Sequence, residues 1–281
     1  MQFKFKVLQK DENISYASYH NHSTFSDGCV EMEQMVLAAR QKGMCDYGLS
    51  DHWVVRPDGF REDWSMKLED LDAYVETCES LKRKYTTPSF HVWTSLEVEF
   101  FKENAVEVIS KLRKYPFDYL IGAVHFVDYF SVDNNPEDWN IFKTDEERDR
   151  VFHGYWANEL ALCQSGLYDL IAHLDLPKKF GFAPTYDNVP EWEAALQALA
   201  ASGKVMEINT AGWDKPCNDS YPSLPIISRA RELGIPIVFS SDSHEIEHIG
   251  RNYGKTADTI GATLIKTPSC SAEEQSNKEQ S

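Results

Sequence analysis

The chain is predicted to fold as an α/β barrel of seven strand–helix units. Three observations predict it. An amphipathic helix, a glycine and a short apolar strand recur along the chain, and such alternation implies parallel βαβ units. An open doubly wound sheet also fits the alternation, but no glycine-rich nucleotide fingerprint follows the first strand, which favours the barrel. The 281 residues, 42% of them hydrophobic, suffice for one barrel of about 250 residues.

The elements follow in order. "FKFKVL" (3–8) alternates with period two and is expected to form a small extra strand outside the main alternation. "ISYASYH" (14–20) is the first barrel strand. In "EMEQMVLAARQKG" (31–43), Met32, Met35, Val36 and Ala39 fall at helical spacing, and Gly43 ends the helix. "CDYGLSDH" (45–52) is the second strand. A helix near 67–84 leads to "HVWTSLEVEF" (91–100), and one near 103–114 leads to "FDYLIGAVHF" (117–126). The longest loop, 128–143, is of a length often kept for function. The helix ending at Gly166 precedes "LYDLIAHLD", the one ending at Gly203 precedes "KVMEINT", and the one ending at Gly234 precedes "IPIVFSSDSH". No linker divides the chain, so residues 1–269 read as one barrel domain and 270–281 as a disordered polar tail.

Charge and composition narrow the function. With 28 basic and 45 acidic residues the net charge is −17, which disfavours nucleic acid as a partner. No apolar run is long enough to span a membrane and the N-terminus has no signal-peptide pattern, so the expected location is cytoplasmic. Cys29, Cys45, Cys78, Cys163, Cys217 and Cys270 have no metal-binding spacing and read as reduced thiols, mostly packing residues.

Six of the nine histidines lie at or just past the C-terminal end of a predicted strand: His20, His22, His52, His125, His173 and His244. Glu97 and Asp242 occupy matching places, and Asp27 lies in the first strand-to-helix loop. The C-terminal strand ends of a parallel barrel converge on its catalytic face. His-x-His alone is an ordinary polar pattern, since residues i and i+2 of a strand share a face. Nine imidazoles and carboxylates at successive strand ends point to metal binding. At about three protein ligands per catalytic ion, nine imply three ions, or two with spare groups. His91 begins a strand and reads as structural, His153 lies within a helix, and His248 reads as solvent-facing.

The motifs "HNH", "FSDG", "SDH", "GAVHF", "AHLD" and "SSDSH", with Glu97, resemble the PHP (polymerase and histidinol phosphatase) superfamily over nearly all of residues 16–255. The resemblance implies a distorted (β/α)7 barrel and a trinuclear site of divalent transition metals: zinc, iron or manganese. It implies that His20, His22, Glu97 and Asp242 hold one ion. Glu97 bridges to a second, completed by His125 and His173, while Asp27, His52 and His244 hold the third. "FDYLIGAVHFV", "IAHLDLPKKFG" and the stretch from "EINTAGWDKP" to "SSDSH" are most similar to the histidinol phosphatase branch. Lys178 and Lys179 stand where that branch often has arginine, and "CNDSYPS" is longer than the branch leads one to expect.

The expected reaction is hydrolysis of a small phosphomonoester, with L-histidinol phosphate as the leading substrate. Three divalent ions against Asp27, Glu97 and Asp242 leave a local charge of about +3 on an acidic protein. A hydroxide bridging two ions beside Glu97 is the expected nucleophile. Asp242, His244 or a metal-bound water could protonate the leaving alcohol. Arg56, Lys178 and Lys179 follow ligand-bearing strands and are candidate phosphate contacts. Trp53, Asp58, Glu62, Asp63, Trp213 and Asp214 are candidates for a cationic leaving group. The rival readings are a phosphatase for a nucleotide or sugar phosphate, a nuclease like the polymerase-associated PHP domains, and a non-catalytic metal-binding module. The acidic charge disfavours the nuclease, and the complete ligand set disfavours the inert module.

Overall fold

The computed structural model describes residues 2–266. The expected polar tail and Cys270 lie outside them. The strands are β1 Asn13–Ser15, β2 Ala17–Ser18, β3 Asp46–Leu49, β4 His52–Trp53, β5 His91–Thr94, β6 Glu97–Glu99, β7 Ile121–Ala123, β8 Phe126–Val127, β9 Phe130–Ser131, β10 Leu170–Ile171, β11 Val205–Asn209, β12 Ile237–Ser240 and β13 Thr263–Ile265. The helices are α1 Met32–Gln41, α2 Leu71–Tyr85, α3 Ala105–Leu112, α4 Asp145–Ser165, α5 Val189–Ser202, α6 Leu224–Glu232 and α7 Tyr253–Ile260.

Every pairing but one is parallel, as the alternation of strands and helices requires. A six-stranded sheet runs β12-β11-β10-β7-β6-β4, and a three-stranded sheet runs β2-β3-β5. Two predicted strands are each cut in two. The second becomes β3 and β4, and the third becomes β5 and β6, so each contributes to both sheets. The cuts fall at buried polar residues. Ser50 receives the Asn21 N–H at 2.9 Å, and Asp51 receives the Ser23 N–H at 2.8 Å and the Ser26 hydroxyl at 2.7 Å. The backbone departs from the ladder at the same place: the Ser50 N–H donates to the Asn21 carbonyl at 3.1 Å, and the Glu97 N–H is shared between the Ser50 and Asp51 carbonyls at 3.2 and 3.1 Å. The free edges of β2 and β12 meet through hydroxyls: the Ser241 N–H donates to Ser18 Oγ at 3.3 Å, and an isolated bridge joins Asn21 to Ser243.

"FKFKVL" forms no strand. Only the Leu8 N–H reaches a strand carbonyl, that of Ile237 at 2.7 Å. Its period-two apolar residues Phe3, Phe5 and Val7 instead pack on a buried cluster from the N-terminal halves of the strands, including Ala17, Tyr19, Trp93, Tyr119, Leu170 and Val205. The antiparallel hairpin β8–β9 and the pair β1–β13 were not expected. Both are two or three residues per strand, too short for periodicity to reveal. The helix-then-glycine punctuation is present: α4 ends at Gly166 and α5 at Gly203, both in the left-handed region with φ +62° and +67°. The start of α4 carries a capping box, in which the Thr144 hydroxyl accepts from the Glu147 N–H and Glu147 accepts from the Thr144 N–H.

Candidate metal centre

The carboxylate of Glu97, at the start of β6, is 1% exposed and stands amid five imidazoles. Its Oε2 lies 3.0 Å from His20 Nε2, 3.5 Å from His22 Nε2 and 2.6 Å from His52 Nδ1. Its Oε1 lies 2.8 Å from His173 Nε2 and 3.5 Å from His125 Nε2. Asp242 extends the cluster, with Oδ1 at 3.0 Å from His22 Nε2 and 3.8 Å from His20 Nε2. Asp27 meets His52 Nε2 at 3.6 Å and His244 Nε2 at 3.3 Å. All nine side chains expected at the strand ends therefore meet in one place. They form four groups able to hold an ion: His22, Asp27, His52 and His244; His20, His22 and Asp242; His20, Glu97 and His173; and His52, Glu97 and His125.

The donor atoms fit cations. His20 Nε2, His22 Nε2, Glu97 Oε2 and Asp242 Oδ1 are buried and face one another, yet none has a hydrogen-bond partner. Such close orphan atoms are costly without a shared ion. The far nitrogens of several rings are anchored, as ligating imidazoles usually are. His20 Nδ1 lies 2.9 Å from Glu207 Oε1, His125 Nδ1 lies 2.6 Å from Glu99 Oε2, and His244 Nδ1 lies 3.1 Å from the Asp242 carbonyl. Glu207 also accepts the His173 N–H at 2.9 Å, and Glu99 accepts the His125 N–H at 3.0 Å. These two glutamates were missed by sequence reasoning. Glu99 lies two residues from Glu97 on the same face, and Glu207 is the one charged residue of β11, so a search for acids within the strands would have found them.

Electrostatics follow from burial and mutual approach. Burial would raise the Glu97 carboxyl, but His20, His52 and His125 overcome it and hold the group well below the usual range. Burial pushes His22 down to about 3, with His52 and His244 adding to the effect, so its ring is neutral and able to ligate. Burial also opposes charge on His125, but Glu99 and Glu97 prevail and lift it to about 10.

The cluster opens into a cleft of about 400 Å³. Asp27, His52, His125, His173, Asp242 and His244 reach its wall, joined by Trp64, Asp133, Lys179, Lys215, His248 and Arg251. Of the four expected substrate contacts, Lys179 lines the cleft and three do not. The Arg56 guanidinium is tied to Asp58 at 2.7 Å and Glu62 at 2.5 Å and lies over Phe60 and Tyr129. Lys178 is held between Asp175 at 3.0 Å and Asp219 at 2.9 Å. Trp213 donates to Thr256 at 2.9 Å, with the Lys255 ammonium over its ring. Each of these three polar groups has an internal partner, which turns it from the cleft. Trp53, Asp58, Glu62, Asp63 and Asp214 are also absent from the lining. Trp64 stands there instead, its ring edge-on to His52 at 4.7 Å. His248, expected to face solvent, lines the cleft beside Arg251 and pairs with Glu245 at 2.8 Å. His91 lies beside Asp46 at the other end of the strands, with Nδ1 3.0 Å from the carboxylate, and His153 is on the outside of α4 against Glu191 and Tyr186. Among the described residues no helix is long and apolar enough to cross a membrane. The five described cysteines are free thiols, and Cys29 is exposed rather than packed.

Residues 18–211 match the PHP domain family and residues 226–266 the PHP-associated family. The chain is 34% identical over 233 residues to a Deinococcus radiodurans protein named "Probable histidinol-phosphatase", covering 82% of this chain and 85% of that one. It is 27% identical over 258 residues to a Schizosaccharomyces pombe protein of the same name, covering 84% and 83%. Its fold is similar to that of the Lactococcus lactis histidinol phosphate phosphatase solved with zinc, L-histidinol and phosphate. The TM-score is 0.71 at 23% identity, over 91% of this chain and 97% of that one. With the matched segment spanning 18–211 and carrying seven of the nine clustered side chains, all but Asp242 and His244, the chain belongs to the PHP domain family.

Proposed function

We propose that this chain is a metal-dependent phosphomonoesterase that hydrolyses L-histidinol phosphate to L-histidinol and inorganic phosphate, acting on a soluble metabolite in the cytoplasm. The observation that carries the reading is the convergence of nine metal-binding side chains on one cleft, with unpartnered donor atoms turned inward around Glu97. The substrate rests on the relatives, whose names and bound ligands are those of histidinol phosphatases. On this reading the two sheets close into one distorted seven-stranded barrel within a single domain.

The residues would hold three ions, with zinc the leading identity: one by His20, His22, Glu97 and Asp242, a second by Glu97, His125 and His173, and a third by Asp27, His52 and His244. Divalent ions supply Lewis acidity toward phosphoryl oxygens and a nucleophile from water at neutral pH. The protein's own part is positional and electrostatic. Glu97, touching two groups of imidazoles at once, fixes their spacing. Glu207 and Glu99 orient His20 and His125 and favour ligation through the opposite ring nitrogen. Asp242 and His244, both lining the cleft, are the protein's own candidates to hand a proton to the leaving alcohol. Trp64 offers an aromatic face, and Asp133 the carboxylate oxygen not engaged by Lys179, to the cationic imidazole and amine of the leaving group.

The test is phosphate release from histidinol phosphate, phosphoserine, nucleoside monophosphates and sugar phosphates at matched metal loading. Two charge-assisted contacts to the leaving group should favour histidinol phosphate by roughly 10² to 10⁴ in kcat/KM. A value no better than that for phosphoserine would overturn the substrate and leave the phosphomonoesterase standing.

A further inference from the structure

The cleft holds more positive charge than the expected lysines supply. Lys215, just after the 3₁₀ turn Ala211–Asp214, and Arg251, in the loop before α7, line the same cavity as Asp242 and His244. The other cleft lysine is satisfied: the Lys179 ammonium donates to Asp133 Oδ2 at 3.0 Å and to the Asp133 carbonyl at 2.7 Å. Arg251 is fixed from behind. Its Nε donates to the Ser241 carbonyl and one terminal nitrogen to the Asp242 carbonyl, both at 3.0 Å, while its other terminal nitrogen is 3.8 Å from Asp214. The Lys215 ammonium, among the described residues, has neither hydrogen bond nor ion pair.

That is unusual in a chain of net charge −17. The carboxylates lining the cleft are Asp27, Asp133 and Asp242. Lys179 occupies Asp133, while Asp27 and Asp242 face imidazoles. Burial lowers the pKa of Lys215, and Lys179 and Arg251 lower it further, outweighing the opposing pull of Asp242 and Asp214. A partly desolvated ammonium beside two other cations is a costly arrangement unless a bound anion completes it.

We propose that Lys215 and Arg251 form the phosphate-recognition pole of the cleft, binding non-bridging oxygens of the substrate and then of inorganic phosphate. The inference rests on the phosphomonoesterase reading for the identity of the anion. Arg251 presents a guanidinium already immobilised on the loop that carries Asp242, and Lys215 adds a mobile point charge. Sequence reasoning assigned this role to Arg56, Lys178 and Lys179, each of which is paired with an internal acid.

The experiment uses the full metal-loaded chain and reads inorganic phosphate binding by calorimetry, with sulfate as a second anion, beside steady-state kinetics. The variants are Lys215→Met, Lys215→Arg and Arg251→Lys, each checked for metal content and fold. Lys215→Met is expected to weaken phosphate binding and raise KM about tenfold with a smaller change in kcat, the loss of one charge-assisted contact. Lys215→Arg should recover most of the affinity. Sulfate, a tetrahedral dianion as well, should compete with phosphate for this site. A Lys215→Met variant that binds phosphate as the wild type does, or a wild type that binds none, overturns the proposal. Because phosphate binding is read without turnover, a Lys215-dependent site with no histidinol phosphatase activity would overturn the substrate assignment and keep this one.

Discussion

Removing the charge of Glu97 leaves His20, His52 and His173, all within 3.0 Å of its oxygens, without the group that gathers them. Glu97→Gln and Asp242→Asn should each lower kcat by roughly 10³ or more, because on the proposed reading these carboxylates would set ion spacing and water acidity. His91→Ala and His153→Ala should stay within a few-fold of wild type, since neither ring is near the cleft. Steady-state assays with plasma mass spectrometry for metal content decide it. A folded, loaded Glu97→Gln with near-normal kcat would remove Glu97 from its role. The clustered side chains were legible in the sequence because a strand end is a defined place: once the alternation is read, position along the chain gives position on one face. Lys215, Arg251 and Trp64 sit in loops whose course depends on tertiary hydrogen bonds, and no periodicity reports that. A second residue, Glu159 of α4, is fully buried with both carboxylate oxygens unpartnered, and burial pushes its pKa up to about 8. The folded value lies above the ordinary 4.5, so folding takes up a proton between the two, and stability falls as pH rises through that interval. Glu159→Gln should escape this loss, which is on the order of 4 kcal/mol when complete. The melting-temperature difference, variant minus wild type, should grow from about pH 5 to about pH 8. A pH-independent difference would contradict it.

At the scale of elements, the loop after β2 is built around Asp51. Ser23 and Ser26 donate to its carboxylate, which turns the chain so that Asp27 faces His52 and His244. A Cβ on Gly28 would lie 2.6 Å from the Ser23 backbone. Gly28→Ala should therefore displace Asp27 and lower metal occupancy and activity, while β11 and β12, which lie elsewhere, keep their pairing. Equal metal content in the variant and wild type would show that the loop tolerates the shift. The same loop explains why two predicted strands are broken. Their apolar pattern was read correctly as extended chain, but the Ser50 N–H goes to the Asn21 carbonyl of the loop, and the Glu97 N–H of β6 is shared between the Ser50 and Asp51 carbonyls, so the ladder is broken there by a bulge. Hydrophobic pattern reports burial; it does not report which partner a buried backbone group takes.

For the whole molecule, the nine clustered side chains come from segments between residues 20 and 244, so an ion bound among them would tie most of the fold together. Chelation should lower the melting temperature. One ion at a hundred times its Kd adds about 2.7 kcal/mol, or roughly 5–10 °C for a chain of this class. Differential scanning calorimetry before and after metal removal, and after zinc is restored, measures it. Identical melting curves would mean that the cluster holds no ion of consequence. The overall alternation of strands and helices was readable from sequence, and so was the face on which the site lies. The division into two sheets was not, because it depends on buried hydroxyls that link β2 to β12 in place of a continuous ladder.

Phe3, Phe5 and Val7 close the end of the strands opposite the cleft, over a buried apolar cluster. Entrance and exit are thereby the same opening. The phosphoryl group, drawn to the deeper cluster and to Lys215, must wait for the alcohol ahead of it to depart. Release is then ordered, with the alcohol first and phosphate last. Product inhibition should reflect that order: inorganic phosphate competitive against substrate, and the alcohol noncompetitive. The reverse pattern would require a second way out through the aromatic floor.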